Sequence, residues 1–211
     1  MIVDDEELLR SGVSQILGVA PDLRVVAACH GGEAVEAARV RQPDVVLLDV
    51  RMPDVNGLSV LRELRALPRP PQVAMLTTFD TDEYLGEALR LGAAGFLLKD
   101  TSPADLISAV RALGTGSGCL SVPMTRRLRA PATANPAGPE LATLSPREQQ
   151  VLALLADGLS NAEIALRLHV STGTVKDHVS ALLTKLHVDN RVQAAVLATR
   201  AAVPATPAPA R

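Results

Sequence analysis

The chain alternates short apolar runs that end in polar residues with stretches whose apolar positions recur at helical spacing. The clearest run covers residues 45–48, ends in Asp49, and is followed at once by the turn residues Pro53 and Gly57. A short apolar run bounded by turn residues is typical of a strand buried on both faces of a parallel sheet. The run is therefore predicted to be an internal strand whose carboxyl end carries Asp49.

Four more short apolar runs are also predicted to be strands. Residues 2–3 precede Asp4 and Asp5, residues 25–29 form the second run, residues 73–76 precede Thr77, and residues 95–98 precede Lys99. Helical patterns separate and follow these runs, as in the series Leu58, Leu61 and Leu64. Five strands alternating with five helices predict a doubly wound parallel sheet.

A second, purely helical pattern begins at residue 144. Ser145 and Glu148 form one predicted capping box, Ser160 and Glu163 form another, and Ser171 caps a third helix. Two short helices joined by a brief turn are typical of a helix-turn-helix. The pattern and the composition predict residues 1–116 as one domain, 117–143 as a flexible linker, 144–200 as a second domain and 201–211 as a disordered tail.

Composition narrows the class of protein. The 211 residues are 47% hydrophobic with a net charge of −2, as in a globular protein, and no apolar run is long enough to span a membrane. The chain opens in a strand-like segment without a signal-peptide pattern, and its two cysteines are far apart, so a cytoplasmic location is expected. Residues 141–211 carry a balance of +2, against −4 for residues 1–140, which is the sign expected for a nucleic-acid-binding second domain.

The strand ends bring one set of chemical groups together. Carboxyl ends of parallel strands meet at one edge of a sheet, which places Asp4, Asp5 and Asp49 near Thr77 and Lys99. Clustered carboxylates raise one another's pKa unless a cation lies among them. A hard divalent ion such as Mg²⁺ meets that need. A lysine and a hydroxyl beside the acids then suit a phosphoryl group on Asp49.

On these residues, about the first 113 positions resemble the receiver domain of two-component response regulators. Residues 144–198 resemble the LuxR-type four-helix helix-turn-helix, so the chain as a whole resembles the NarL/FixJ family. The resemblance implies a flavodoxin-like receiver followed by an all-α DNA-binding domain. It implies a transcription regulator, not an enzyme, which a sensor histidine kinase phosphorylates on Asp49 and which binds double-stranded DNA as a homodimer.

The resemblance also implies roles for the receiver residues. It assigns the Mg²⁺ site to Asp5 directly, to Asp4 through a water molecule, and to Asp49 and the backbone carbonyl of Arg51. Thr77 and Lys99 are expected to bind the phosphoryl oxygens. Phe96 matches the family's switch aromatic, which turns inward when Thr77 moves, although a plain core role for Phe96 stays open.

In the second domain the resemblance implies that the third helix enters the major groove of DNA. The predicted DNA-binding residues are Thr174, Lys176, Asp177, His178 and Ser180. Lys176 and His178 match recurrent contacts of the family, although a solvated lysine and a packed histidine are the plainer interpretations. The negative charge of Asp177 would repel DNA phosphates unless the carboxylate accepts from a cytosine amino group, so Asp177 is interpreted as a specificity position. The fourth helix, with Val192, Ala195, Val196 and Ala198, either forms the dimer or packs within the domain.

Two alternatives stay open from the sequence. A phosphorylation-independent regulator of the same architecture is supported only by the short first strand, with three residues before Asp4. Either an upstream start codon or a less stable receiver would account for that strand. An aspartyl-phosphate phosphatase would need a second acid two residues beyond Asp49, where this chain has Arg51.

Overall fold

The computed structural model describes residues 1–77, 82–116, 118–120 and 139–200. The chain divides into two compact units, Met1–Cys119 and Leu120–Arg211. A hydrophobic core of buried side chains lies within each of them. Most of the predicted linker and all of the predicted tail lie outside the described residues, so the limits of the linker and of the two domains stay a prediction.

The first unit is a parallel sheet whose connections are helical. In chain order its elements are β1 (Ile2–Val3), α1 (Glu7–Gly18), β2 (Ala28–Cys29), α2 (Ala34–Arg41), β3 (Val45–Asp49), α3 (Gly57–Arg65), β4 (Gln72–Thr77), α4 (Asp82–Arg90), β5 (Gly95–Leu98), α5 (Pro103–Gly114) and β6 (Cys119–Leu120). The strand order is β2-β1-β3-β4-β5-β6, and the first five strands pair in parallel. The predicted doubly wound sheet is confirmed, and β6 is an edge strand that the sequence did not predict.

The strands on the β2 side of the sheet are short. The strand predicted over residues 25–29 is observed only at Ala28–Cys29, because β1 offers only two residues for pairing. Beyond β1, the Met1 amino group donates a hydrogen bond to the Val45 carbonyl at 2.7 Å. This group borders a cavity of about 640 Å³, and burial lowers the pKa of the amino group to about 6. Ile2 and Val3 pair with Leu47 and Leu48, near the carboxyl end of β3. The paired part of β1 and β2 therefore lies toward the carboxyl edge of the sheet.

The register of the sheet brings the predicted chemical groups to that carboxyl edge. Val3 pairs with Leu48, Asp49 pairs with Leu76, and Thr77 pairs with Leu98. Asp4 and Lys99, which follow two of these pairs directly, lie at the same edge. Behind it the core contains Ile2, Leu17, Leu47, Ala74, Leu76, Ala94, Leu97, Leu106, Ala109, Val110 and Leu113.

The second unit is helical. After a 3₁₀ helix at Pro139–Thr143 come α6 (Pro146–Ala156), α7 (Asn161–Leu168), α8 (Thr172–Lys185) and α9 (Arg191–Arg200). The predicted capping boxes at Ser145 and Ser160 are both present, and Ser171 caps α8. The last residues of the predicted linker are therefore helical. Among the helices of the described residues, none is both long and apolar enough to cross a bilayer.

The turn after β3 depends on Asn56 and Gly57. The Asn56 side chain accepts a hydrogen bond from the Leu58 backbone N–H at 2.9 Å and so caps α3. A Cβ atom on Gly57 would lie 2.2 Å from the Asp49 carbonyl oxygen and 3.0 Å from the Val50 Cα. Only glycine therefore lets α3 begin this close to the end of β3.

Gly57→Ala is expected to destabilise the first unit by about 1–3 kcal/mol, because the added methyl group would clash with backbone atoms of Asp49 and Val50. Gly12→Ala is the matched control, since Gly12 lies within α1 and a Cβ atom there has nothing within 4 Å. That variant is expected to be more stable by about 0.5–1 kcal/mol. Denaturant unfolding of the full chain measures both, and equal stability of the two variants would contradict the close approach.

Candidate functional site

Three carboxylates converge at the carboxyl edge of the sheet. Asp4, Asp5 and Asp49 each place an oxygen within 4.8 Å of the others. Asp4 is fully buried and Asp49 is 2% exposed, whereas Asp5 is exposed. Exposed acids often cluster without a function, but two buried acids at one site need a compensating positive charge.

Lys99 supplies that charge from the end of β5. Its ammonium lies 3.0 Å from Asp4 Oδ2 and donates a hydrogen bond to Asp49 Oδ2, also at 3.0 Å. Glu6 Oε1 lies 3.6 Å from the same ammonium. The Lys99 backbone N–H donates to the Thr77 carbonyl at 2.9 Å, which fixes the start of the side chain. Lys99 therefore links the ends of β1, β3, β4 and β5.

The buried charges shift each other's protonation. Burial raises the pKa of Asp49, and the Asp4 charge adds to the rise while the hydrogen bond from Lys99 opposes it. Burial acts to lower the pKa of Lys99, but its hydrogen bond to Asp49 and its ion pairs with Asp49 and Asp4 outweigh burial and raise it. The lysine therefore carries the positive charge of the site, with carboxylate oxygens of Asp4, Asp49 and Glu6 within 3.6 Å of its ammonium.

One buried oxygen of the cluster fits a metal ion. Asp4 Oδ1 accepts a hydrogen bond from the Glu6 backbone N–H at 3.0 Å. Asp4 Oδ2 accepts no well-directed hydrogen bond among the described residues, although the Lys99 ammonium is close to it. This buried oxygen has an ion-pair partner but no hydrogen bond in the described part of the chain, so it can accept a further cation, and carboxylate oxygens are ligands that Mg²⁺ takes. The residues present therefore suit a magnesium ion.

The other predicted receiver residues lie around this cluster. Thr77 is 3% exposed at the end of β4, and Phe96 is 2% exposed in β5, so its ring is already turned inward. The Arg51 backbone N–H donates to Asp49 Oδ1 at 3.3 Å. The exposed Arg51 side chain lies over the ring of Tyr84 on α4, with the guanidinium carbon 5.7 Å from the ring centroid.

Two contacts at the site were not predicted from the sequence. Glu6 reaches Lys99, and the only signal for it in the sequence is its position directly after Asp4 and Asp5. Tyr84 reaches Arg51 from a different helix, and no residue spacing connects the two. Both contacts depend on the three-dimensional path of the chain.

In the second unit, α7 and α8 form the predicted helix-turn-helix. The turn passes through His169 in the left-handed conformation, with φ at 53°. The Val170 backbone N–H donates to the Ala165 carbonyl at 3.0 Å, and the Ser171 side chain accepts from the Thr174 N–H at 3.0 Å. These bonds end one helix and begin the next within residues 169–171.

The two faces of α8 differ as predicted. Val175, Val179, Leu182 and Leu186 are buried in the helical core. The predicted DNA contacts lie on the other side, where Lys176, Asp177 and Ser180 are exposed and Thr174 and His178 are half-buried. The Thr174 hydroxyl lies 2.9 Å from Ser171 Oγ, so it also takes part in the cap. The exposed polar side chains leave a surface that a DNA groove can approach.

Buried polar contacts support this surface from α6. Glu148 is 5% exposed and accepts a hydrogen bond from Lys185, at the end of α8, at 2.7 Å. Arg147 donates to the Leu168 carbonyl at the end of α7, at 2.8 Å. The sequence predicts only a capping role for Glu148, because it does not show which helix end lies beside another.

Helix α9 is packed within the chain. Arg191 at its start donates to Asn161 Oδ1 at 3.1 Å and to the Leu159 carbonyl, on the segment that leads into α7. The four residues predicted either for a dimer surface or for internal packing, Val192, Ala195, Val196 and Ala198, are all buried. Their burial agrees with the packing interpretation.

Comparison with known proteins matches both units. The family described as response regulator receiver domain matches residues 1–111, and the luxR family of bacterial regulatory proteins matches residues 142–198. The nitrate/nitrite response regulator NarL of Escherichia coli K12 is 40% identical over 199 residues, covering 93% of this chain and 92% of NarL. DevR/DosR, a DNA-binding transcriptional activator of Mycobacterium tuberculosis, is 39% identical over 203 residues, covering 94% and 92%.

A solved structure extends the likeness to the whole chain. The crystal structure of response regulator ChrA, from a heme-sensing two-component system, has a TM-score of 0.52 at 34% identity and covers 97% of each chain. A parallel α/β unit with an acidic carboxyl edge, followed by a helix-turn-helix unit, defines a transcriptional response regulator. This chain belongs to the LuxR family of response regulators of two-component systems.

The Glu148–Lys185 contact predicts a pH dependence of the DNA-binding domain. The hydrogen bond from Lys185 lowers the pKa of Glu148 from its usual 4.5 to about 2. Because the pKa is depressed in the folded state, the contact stabilises the domain above pH 4.5 and is lost as pH falls toward 2.

Glu148→Gln keeps the capping box but removes the charge. It is expected to cost about 1 kcal/mol or less at pH 7, because Lys185 is 41% exposed to screening solvent, and to cost nothing near pH 2. Calorimetry of the full chain between pH 7 and pH 2.5 measures the difference. A deficit that stays constant across this range would contradict the ionic contribution.

Proposed function

We propose that Asp49 is the phosphoacceptor of this response regulator and that a sensor histidine kinase is its phosphodonor. The observation that carries the proposal is the Lys99 ammonium, held 3.0 Å from both Asp49 Oδ2 and Asp4 Oδ2. A buried lysine beside an acid at a strand end stands where it can bind a phosphoryl group on that acid. Thr77, at the end of the adjacent β4, is the proposed second ligand of the phosphoryl oxygens.

We further propose that Asp4, Asp5, Asp49 and the backbone carbonyl of Arg51 hold Mg²⁺. A bound magnesium ion would neutralise charge on the acids and on the phosphoryl oxygens. Asp4 Oδ2, which is paired with Lys99 but accepts no hydrogen bond among the described residues, and the proximity of the three acids support this ligand set. Which acid binds directly and which through water remains part of the proposal.

The output side of the proposal is DNA binding through α8. Lys176, Asp177 and Ser180 are exposed, and Thr174 and His178 lie beside them. We propose that these residues contact phosphates and base edges, with homodimers formed on phosphorylation reading two half-sites. Contact with chromosomal DNA implies a cytoplasmic location. Phe96 is the proposed switch aromatic, and because it is already buried, any switching occurs within the core.

No enzyme activity is proposed for this chain. A phosphatase of the aspartyl-phosphate type needs a general acid two residues beyond its nucleophile. Arg51 occupies that position, and its side chain lies over Tyr84. The remaining alternative is a regulator that works without phosphorylation, and the following measurement separates it from the proposal.

Incubation of the full chain with acetyl phosphate and Mg²⁺ is expected to add one phosphoryl group and to shift the protein toward a dimer. Intact mass and light scattering measure the two effects. Asp49→Asn is expected to abolish both, whereas Asp54→Asn, which changes an exposed acid in the following turn, is expected to abolish neither. DNA binding by a chain that never gains mass would favour the phosphorylation-independent regulator.

Lys176→Ala is expected to weaken binding to a random-sequence DNA duplex and to reduce the salt dependence of binding by about one released counterion. Asp177→Ala is the matched variant of opposite sign, expected to strengthen binding because it removes a negative charge from the same face. Fluorescence anisotropy at several salt concentrations measures both. Equal affinity of the two variants would exclude this face of α8 from the interface.

A further inference from the structure

We propose that Arg51 is an additional positioning residue for the phosphoryl group, held on the ring of Tyr84 until Asp49 is modified. On phosphorylation the guanidinium moves from the ring to the phosphoryl oxygens, and α4 loses the contact that Tyr84 makes with Arg51. The inference rests on the proposed function, because it requires a phosphoryl group on Asp49.

The backbone of Arg51 is fixed beside the phosphoacceptor. Its N–H donates to Asp49 Oδ1 at 3.3 Å. Arg51 also forms an isolated antiparallel bridge with Asn56, whose side chain caps α3. Because the Arg51 backbone is held on both sides, the long Arg51 side chain can move in response to a change at Asp49 while its backbone stays in place.

The guanidinium of Arg51 has no acidic partner among the described residues. It is exposed, and its contact is the face of Tyr84, 5.7 Å from the ring centroid. The Lys99 ammonium is different, because it is already shared by Asp4, Asp49 and Glu6. In addition to Lys99, Arg51 therefore offers a second cation, two residues from Asp49 in the chain, that is not paired with an acid among the described residues.

Phosphorylation changes the charge that Arg51 faces. A carboxylate with one negative charge is replaced by a phosphoryl group carrying about two, with three strong acceptor oxygens. A charge-assisted hydrogen bond from guanidinium to phosphoryl oxygen is stronger than an exposed cation–π contact. We therefore expect the Arg51 side chain to favour the Tyr84 ring before phosphorylation and the phosphoryl oxygens after it.

The loss of this contact acts on one face of α4 only. Tyr84 is half-buried, whereas Leu85, Ala88 and Leu89 of the same helix are buried. These apolar residues keep α4 packed while Tyr84 is released. Since Phe96 is already buried before modification, the Arg51–Tyr84 contact offers a route to α4 that does not require an aromatic ring to enter the core.

The composition of the chain makes this inference directly measurable. Tyr84 is the single tyrosine, and there is no tryptophan. Tyrosine emission of the full-length protein therefore reports on one ring. The experiment follows this emission and its quenching by acrylamide while acetyl phosphate and Mg²⁺ are added, with phosphoryl occupancy measured by intact mass on the same samples.

Phosphorylation of the wild-type chain is expected to change Tyr84 emission and to increase its quenching in proportion to occupancy. Arg51→Met keeps the aliphatic stem without the charge, and its unmodified form is expected to match the phosphorylated wild type and to change no further. Arg51→Lys keeps a cation and is expected to retain part of the change. Far-UV circular dichroism confirms that each variant is folded.

The matched control is Arg62→Met, which removes a different exposed link to α4, the 3.6 Å ion pair between Arg62 and Glu87. Its emission change is expected to equal that of the wild type. A full change in Arg51→Met at equal occupancy would overturn the inference, as would a fully phosphorylated wild type with unchanged emission. Absence of any mass gain would refute the proposed function and the inference together.

Discussion

The structure of the receiver domain depends on a single ammonium group placed among acids. Asp4 and Asp49 are both buried, and without Lys99 their charges would oppose closure of the sheet at its carboxyl edge. The same lysine joins the ends of strands that are far apart in sequence. The burial of these two acids and the chemistry proposed at Asp49 therefore depend on the same ammonium group.

In the DNA-binding domain, charged side chains hold the helices to one another. Glu148 and Lys185 join α6 to α8, and Arg147 and Arg191 donate to backbone carbonyls at the two ends of α7. The bond from Arg147 satisfies a carbonyl that the end of α7 would otherwise leave unpaired, and the other two bonds join neighbouring elements. Because the supporting contacts come from other faces, most of the exposed residues of α8 have no structural task and are available to DNA.

Much of this architecture could be read from the sequence. Apolar runs ending in Asp49, Thr77 and Lys99 predict both the parallel sheet and the meeting of these residues, because strand direction alone determines the edge at which they lie. The serine caps predict the helices of the second domain in the same local way. Local signals do not reveal β6, the shortened β2 or the partners of Arg51 and Arg191. Each of these depends on how many residues a neighbour offers, or on which distant side chain lies within reach.

The short β1 strand has a consequence for the dynamics of the site. Two of the three acids follow a strand of two residues that lies between β2 and β3. So few paired residues make local opening of this strand inexpensive compared with opening of β3 or β4. A cation that binds only the closed arrangement lowers the opened population by mass action. If the three acids hold the proposed divalent ion, its concentration would set the fraction of this strand that is open, and amide exchange there would measure metal occupancy.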